Sequence, residues 1–133
     1  MKRMMLLLLC ILLLAGCAAR TEFTTAPEET SAPNVITVTT VDELLAAIGS
    51  DREIVMEPGR YNLYWARDYG CKSENESYVW EEYGDGYQLK LIGVENLTIR
   101  GSGADITTVV TEPRYANVLV LQNCINTTLE NFT

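Results

Sequence analysis

The residue types best suited to chemistry crowd into one stretch, from Tyr64 to Tyr87. It holds the carboxylates Glu74, Glu76, Glu81, Glu82 and Asp85 and the aromatics Trp65, Tyr69, Tyr78, Trp80, Tyr83 and Tyr87, with a Gly84-Asp85-Gly86 turn among them. Aromatic faces stack on sugar rings, so Trp65, Trp80 and Tyr83 are candidate carbohydrate-binding residues. Convergent carboxylates bind Ca2+, which accepts roughly six to eight oxygen ligands. "ENE" (74–76) and "EEYGDG" (81–86) make Ca2+ a possible cofactor, though neither has the fixed spacing of an EF-hand loop. No other cofactor is evident. The competing reading is a solvated loop whose aromatics fold onto the wall of the domain.

Other chemistries are excluded or left without direction. The chain contains no histidine, so neither a Ser-His-Asp or Cys-His arrangement nor a His metal site can form within it. Asp105 and Glu112 could serve glycoside hydrolysis, which needs two carboxyls at a defined separation, but nothing in the sequence sets theirs. Gly101-Ser102-Gly103 has no helix after it and reads as a turn rather than a phosphate cradle. The formal net charge of −8 offers nucleic acid no electrostatic footprint. It would also repel anionic lipid or a polyuronate unless a cation or a local basic patch intervened.

The first seventeen residues, "MKRMMLLLLCILLLAGC", bear on compartment. Lys2 and Arg3 form the basic start of a signal peptide over residues 1–16, and Met4 to Ala15 is its unbroken apolar core, too short to cross a bilayer as a helix. "LAGC", Leu14 to Cys17, resembles the lipobox of bacterial lipoproteins. That resemblance implies cleavage before Cys17, diacylation of its thiol, and a lipid-anchored protein on the extracytoplasmic face of the cell membrane. Removing residues 1–16 deletes two bases and no acid, which takes the charge from −8 to −10. Cys10 leaves with the signal, so Cys71 and Cys124 are the cysteines that an exported chain could pair, though nothing in the sequence places them together. Residues 17–34, rich in Ala, Thr, Pro and Glu with no apolar period, read as a disordered tether.

A folded domain is then expected over 35–133. "VITVTT" alternates as a strand does. Thr40 with Glu43 is a capping box, and Val41, Leu44, Leu45 and Ile48 repeat at helical spacing, so a two-turn helix is expected, stopped by a left-handed Gly49. Strands are expected at Ile54 to Met56 and around Tyr61 to Leu63, followed by the long acidic–aromatic insertion. From Leu89 the chain repeats. Sliding it by thirty lays Leu89 on Leu119, Leu91 on Leu121, Asn96 on Asn126, Thr98 on Thr128 and Ile99 on Leu129. A looser match at about thirty-five lays Ile54 and Met56 on Leu89 and Leu91. Asn96 and Asn126 head Asn-x-Thr sequons, as do Asn75 and Asn131 their Asn-x-Ser/Thr sequons, but the repeat gives the first two a structural task as rungs of a turn ladder.

Units of short strands at this period, with no helix between them, are what a parallel solenoid requires. The opening "ITVTTVDELLAAIGSDREIVMEPGRYNL" and the two "N-x-T-[IL]-x-[GN]" turns resemble the N-terminal cap and first coils of the right-handed parallel β-helix (pectin lyase-like) superfamily. The resemblance implies an all-β fold of two to three coils with a capping helix. It implies a cell-surface protein that binds or processes polysaccharide, as a lyase, hydrolase or epimerase if catalytic. Superfamily lyases use a Lys or Arg base beside a Ca2+-neutralised uronate; Arg100 and Arg114 lie within the coils, but no motif singles them out and the catalytic residues stay unknown. The alternative is a non-catalytic adhesin or surface scaffold. Because Thr133 follows a turn with no capping element after it, the sequence leads us to expect a fragment of a longer protein.

Overall fold

The computed structural model describes residues 34–70 and 75–133. The signal sequence, Cys17, the tether up to residue 33, Cys71 and Glu74 lie outside the described residues. The described chain is all-β in character, and its first strand takes in Asn34. The strands are β1 (Asn34–Val38), β2 (Arg52–Met56), β3 (Gly59–Asn62), β4 (Tyr78–Tyr83), β5 (Gly86–Ile92), β6 (Glu95–Gly101), β7 (Thr107–Val110), β8 (Leu119–Gln122) and β9 (Ile125–Glu130). Helix α1 spans Val41–Ala47, and a helical turn, Leu63–Trp65, runs into a wider one, Ala66–Gly70.

The strands sort into three sheets ordered β1-β2-β6-β9, β3-β7 and β4-β5-β8. Every pairing is parallel except β4 with β5. The chain visits the sheets in rotation: β2 in the first, β3 in the second, β5 in the third, then β6, β7, β8 and β9 in the same order. Alternation dictates which side of each strand turns inward. Ile54, Met56, Tyr61, Leu89, Leu91, Leu97, Ile99 and Val109 are all buried in one cluster. Each such side chain contributes about 1.5–3 kcal/mol on burial, which holds together strands too short to persist alone.

The thirty-residue offset is the pairing register. Leu89 pairs with Leu119, Leu91 with Leu121, Thr98 with Thr128 and Ile99 with Leu129. The thirty-five-residue match is corrected: Ile54 and Met56 pair with Ile99 and Gly101, an offset of 45, because the insertion lengthens that circuit. The insertion itself is no structureless loop, since it supplies the helical turn and the antiparallel β4–β5 hairpin.

Helix α1 starts at a full capping box. The Glu43 amide donates to Thr40 Oγ1 at 3.2 Å, and Glu43 Oε2 accepts from the Thr39 and Thr40 amides at 2.7 and 3.2 Å. These bonds hold the Glu43 carboxyl below its ordinary range, the Thr39 amide first. Its end differs from expectation. Gly49 is not left-handed; Ile48 turns extended at φ −57°, ψ 127°, and side chains cover the last carbonyls, Arg52 Nη1 donating to Ala47 O at 3.1 Å and Asn75 Nδ2 to Leu45 O and Ile48 O at 3.2 and 2.8 Å. Gly49 is needed for room, because a Cβ there would lie 2.9 Å from Arg52 Cζ. Leu44, Leu45 and Ala47 bury the inner face of this short helix. Tertiary packing rather than helix propensity therefore sustains it.

Candidate functional site

The site is built where β3 and β7 run out. Asn62 ends β3, and its Oδ1 accepts the Trp65 amide at 3.2 Å, which starts the helical turn and swings the indole outward. The parallel pairing of Asn62 with Val110 puts Glu112 beside that turn. Glu112 Oε1 then accepts two bonds, from the Trp65 indole Nε1 at 2.9 Å and from Asn62 Nδ2 at 3.2 Å. The indole is fixed at its edge while Trp65 stays 53% exposed. Two residues on, Arg67 pairs with Asp68 and lays its guanidinium over the Tyr87 ring, 3.2 Å from the centroid.

The β4–β5 hairpin closes on the same region. At its tip Asp85 accepts the Arg114 amide on Oδ2 and the Tyr115 amide on Oδ1, each at 2.9 Å. The Tyr115 and Arg114 amides are what hold the Asp85 carboxyl below its ordinary range. Contact here is tight enough to require glycine: a Cβ on Gly86 would fall 2.3 Å from Pro113 Cγ, and one on Gly84 (φ +64°) 2.9 Å from Tyr115 Cβ. Behind this clasp runs a polar chain. Asn117 Nδ2 donates to Gln88 Oε1 at 2.8 Å, Gln88 Nε2 donates to Glu81 Oε2 at 2.7 Å, and Glu81 pairs with Lys90. Lys90 and then Gln88 keep the Glu81 carboxyl low.

The three aromatics chosen from sequence do not share one surface. Trp80 turns toward the core and meets Tyr78 edge-on, with centroids 6.3 Å apart. Tyr83, an odd number of residues further along β4, points to the opposite face and is exposed. Of the three, Trp65 is the one anchored to other polar groups of the corner. Of the carboxylates proposed for Ca2+, two are engaged elsewhere: Glu81 with Lys90 and Gln88, Asp85 with backbone amides. Among the described residues no three acidic or sulfur side chains converge as metal ligands. Asp105 and Glu112 flank opposite ends of β7, whose four residues alone span about 10 Å, so they do not face each other across a substrate bond. Arg100 pairs with Glu53, and Arg114 enters the clasp through its amide. The Cys124 thiol donates to Leu91 O at 3.6 Å.

Sequence reasoning missed Glu112 as the anchor of Trp65, the Arg67–Tyr87 stack and the Asp85 clamp. Asn62-x-x-Trp65 was a readable capping signal; the rest depends on pairing across fifty residues. The turn ladder also gains a rung. Asn126 Nδ2 donates to Asn96 Oδ1 at 2.9 Å, and Asn96 Nδ2 to Asp51 Oδ1 at 2.8 Å. All three residues are left-handed, with φ of 51°, 53° and 56°. The forty-five-residue offset would have revealed Asp51.

The corner thus presents a flat indole, a carboxylate with one oxygen already engaged, and a guanidinium stacked on a phenol. Such a set can stack on and hydrogen-bond a polyol. Compared with models of protein families, with curated proteins and with solved structures, the chain matches none of them.

Proposed function

We propose that this chain folds as a right-handed parallel β-helix with an N-terminal capping helix, displayed on the outer face of a bacterial membrane through lipid on Cys17, and that it binds polysaccharide at the Trp65 corner. Three features support the coil reading: the rotation of the chain through three sheets, the thirty-residue parallel register and the Asp51-Asn96-Asn126 ladder. The observation that carries the binding reading is the exposed indole of Trp65, pinned by Glu112 and Asn62. A tryptophan with a polar anchor at its edge and about half of its surface exposed serves a stacking ligand better than it serves the core. Binding is favoured over turnover because the residues gathered here form a platform, while the candidate acid–base carboxyls stand apart.

The full chain, displayed on a glycan array of cell-wall polysaccharides with and without chelator, tests this. Trp65→Ala should weaken the strongest signal at least about tenfold, equivalent to about 1.4 kcal/mol. Trp80→Phe, on the core side of β4, should leave that signal in place. An array on which the wild type retains nothing, or on which Trp65→Ala binds like wild type, overturns the reading. Mass spectrometry of the N-terminal peptide from cells tests the anchor: a diacylated Cys17 is expected, and an unmodified Cys17 or uncleaved leader refutes it.

A further inference from the structure

We propose that the saccharide site continues from Trp65 across the tip of the β4–β5 hairpin to Tyr83, and that its ligand is an uncharged oligosaccharide long enough to stack on both rings. The inference rests on saccharide binding at Trp65 and adds the length and charge class of what binds. Strand parity supplies the first observation. Tyr83 and Gly86 are partners across the hairpin, so they share a face. That face is the outer one, because Trp80 and Leu89, at alternate positions of the same two strands, turn to the core. Tyr83 is 53% exposed there, on β4, the strand of its sheet farthest from β8.

The second observation is what lies beside that ring. Gly86 has no side chain, and Pro113 occupies the space where its Cβ would stand. Pro113 is therefore the cross-strand neighbour of Tyr83 on the outer face. The residue before it is Glu112, which pins the Trp65 indole through Oε1. Trp65, Glu112, Pro113 and Tyr83 thus follow one another over the surface. One peptide step, the Pro113–Gly86 contact and one cross-strand step separate Glu112 from Tyr83, roughly 10–15 Å in all, the length of about two to three sugar residues. The hairpin tip is held to this loop by Asp85, which accepts the Arg114 and Tyr115 amides. A platform fixed in advance loses little freedom when a chain lies on it.

Charge selects among such chains. Glu112 Oε2 accepts no bond among the described residues, so it offers an acceptor to a sugar hydroxyl between the rings. A uronate set there would bring two carboxylates together, which is unfavourable. The nearest cations have other neighbours. Arg67 is paired with Asp68 and stacked on Tyr87, and Lys90 is paired with Glu81. Arg114 has the Asp85 carboxylate beside it, and Arg60 lies two residues back from Asn62 along β3, on the side away from the hairpin.

Isothermal titration of the full chain tests this, with disaccharides and hexasaccharides of the glucan, xylan, mannan and chitin series as probes and hexagalacturonate as the acidic counterpart. The best-bound neutral hexasaccharide should bind at least about tenfold tighter than its disaccharide and than hexagalacturonate. Tyr83→Ala should weaken the hexasaccharide about three- to tenfold and leave the disaccharide unchanged, which also shows that the variant is folded. Tyr83→Phe keeps the ring and should bind like wild type. Glu112→Gln keeps an acceptor for the indole and should narrow the preference over hexagalacturonate. Hexasaccharide binding that is lost in Trp65→Ala but kept in Tyr83→Ala refutes the extended site and leaves binding at Trp65 standing. No saccharide bound, or Trp65→Ala equal to wild type, refutes both. Equal binding of the two lengths, a preference for hexagalacturonate, or a preference that Glu112→Gln leaves unchanged also overturns the proposal.

Discussion

The chain passes through its three sheets twice in the same order, and the two passes, or circuits, are unequal. From Ile54 to its partner Ile99 it takes 45 residues; from Ile99 to Leu129 it takes 30. Inside, both circuits set aliphatic side chains in register, Ile54 with Ile99 and Ile99 with Leu129. Outside, the longer one contributes Trp65, Asp85 and Gln88 beside the Arg67–Tyr87 stack, and the shorter one contributes what holds those three: the Glu112 carboxylate, the Arg114 and Tyr115 amides and the Asn117 amide. Fifteen extra residues are tolerated because pairing demands only that the ends of a circuit arrive in register. Loop-closure cost grows with the logarithm of length, so the addition is thermodynamically small. Repetition sets the scaffold, and departure from repetition sets the site.

The strongest way to break the equivalence of the inner columns is to shorten them level by level. Leu97 is fully buried between β2 and β9, and Leu97→Ala should cost about 2–5 kcal/mol by the loss of its contacts and the cavity left behind. Leu129, one circuit on, is 37% exposed, and Leu129→Ala should cost under about 1 kcal/mol. Urea midpoints of the two variants measure the difference. Equal losses would mean that the outer column is covered in solution, and the contrast between levels would fail.

The ladder gives a smaller, sharper test. Asn96 both donates to Asp51 and accepts from Asn126, and it does so at φ 53°. Asn96→Ala removes two bonds and puts in left-handed backbone a residue that tolerates it less well than asparagine, a combined loss of about 2–3 kcal/mol. Asn96→Gly removes the same bonds but not the conformational freedom, and should recover about 1 kcal/mol of that. Matching stabilities for the two variants would show that backbone handedness at this turn carries no energy.

These contrasts also explain what could be read in advance. The capping box at Thr40 and Glu43, the thirty-residue register and the Asn96–Asn126 rung are written as local patterns or as direct self-similarity, so sequence exposes them. The pairing of Ile54 with Ile99 was hidden because the insertion breaks the period that would reveal it. At the corner, composition pointed to Trp65 but could not separate it from Trp80 and Tyr83; the parity of β4 and the arrival of Glu112 from a later strand make that distinction. Gly49 shows the converse limit. A glycine after a helix suggests a left-handed stop, yet here the Arg52 and Asn75 side chains cap the carbonyls, and the glycine only leaves room for Arg52.

The smallest expected effect separates the clasp from the columns by pH. Asp85 is held below its ordinary carboxyl range by the Tyr115 and Arg114 amides. A carboxylate whose folded value is depressed adds stability that is complete above its unfolded value and fades as pH falls through the folded one. The clasp should therefore loosen only at acid pH, while the aliphatic columns do not titrate. Glu81 and Glu43, also depressed, fade in the same acid range, so the wild-type curve alone cannot isolate Asp85. Asp85→Asn can: its side chain loses the charge but keeps an acceptor. The difference in stability between wild type and Asp85→Asn should be constant near neutrality and shrink toward zero as pH falls. Hydrogen exchange at the Arg114 and Tyr115 amides supplies the local readout, with protection lost early in acid for the wild type and already reduced at neutral pH in the variant. A stability difference that stays constant into acid would mean that the charge of Asp85 does not hold the hairpin to the second circuit.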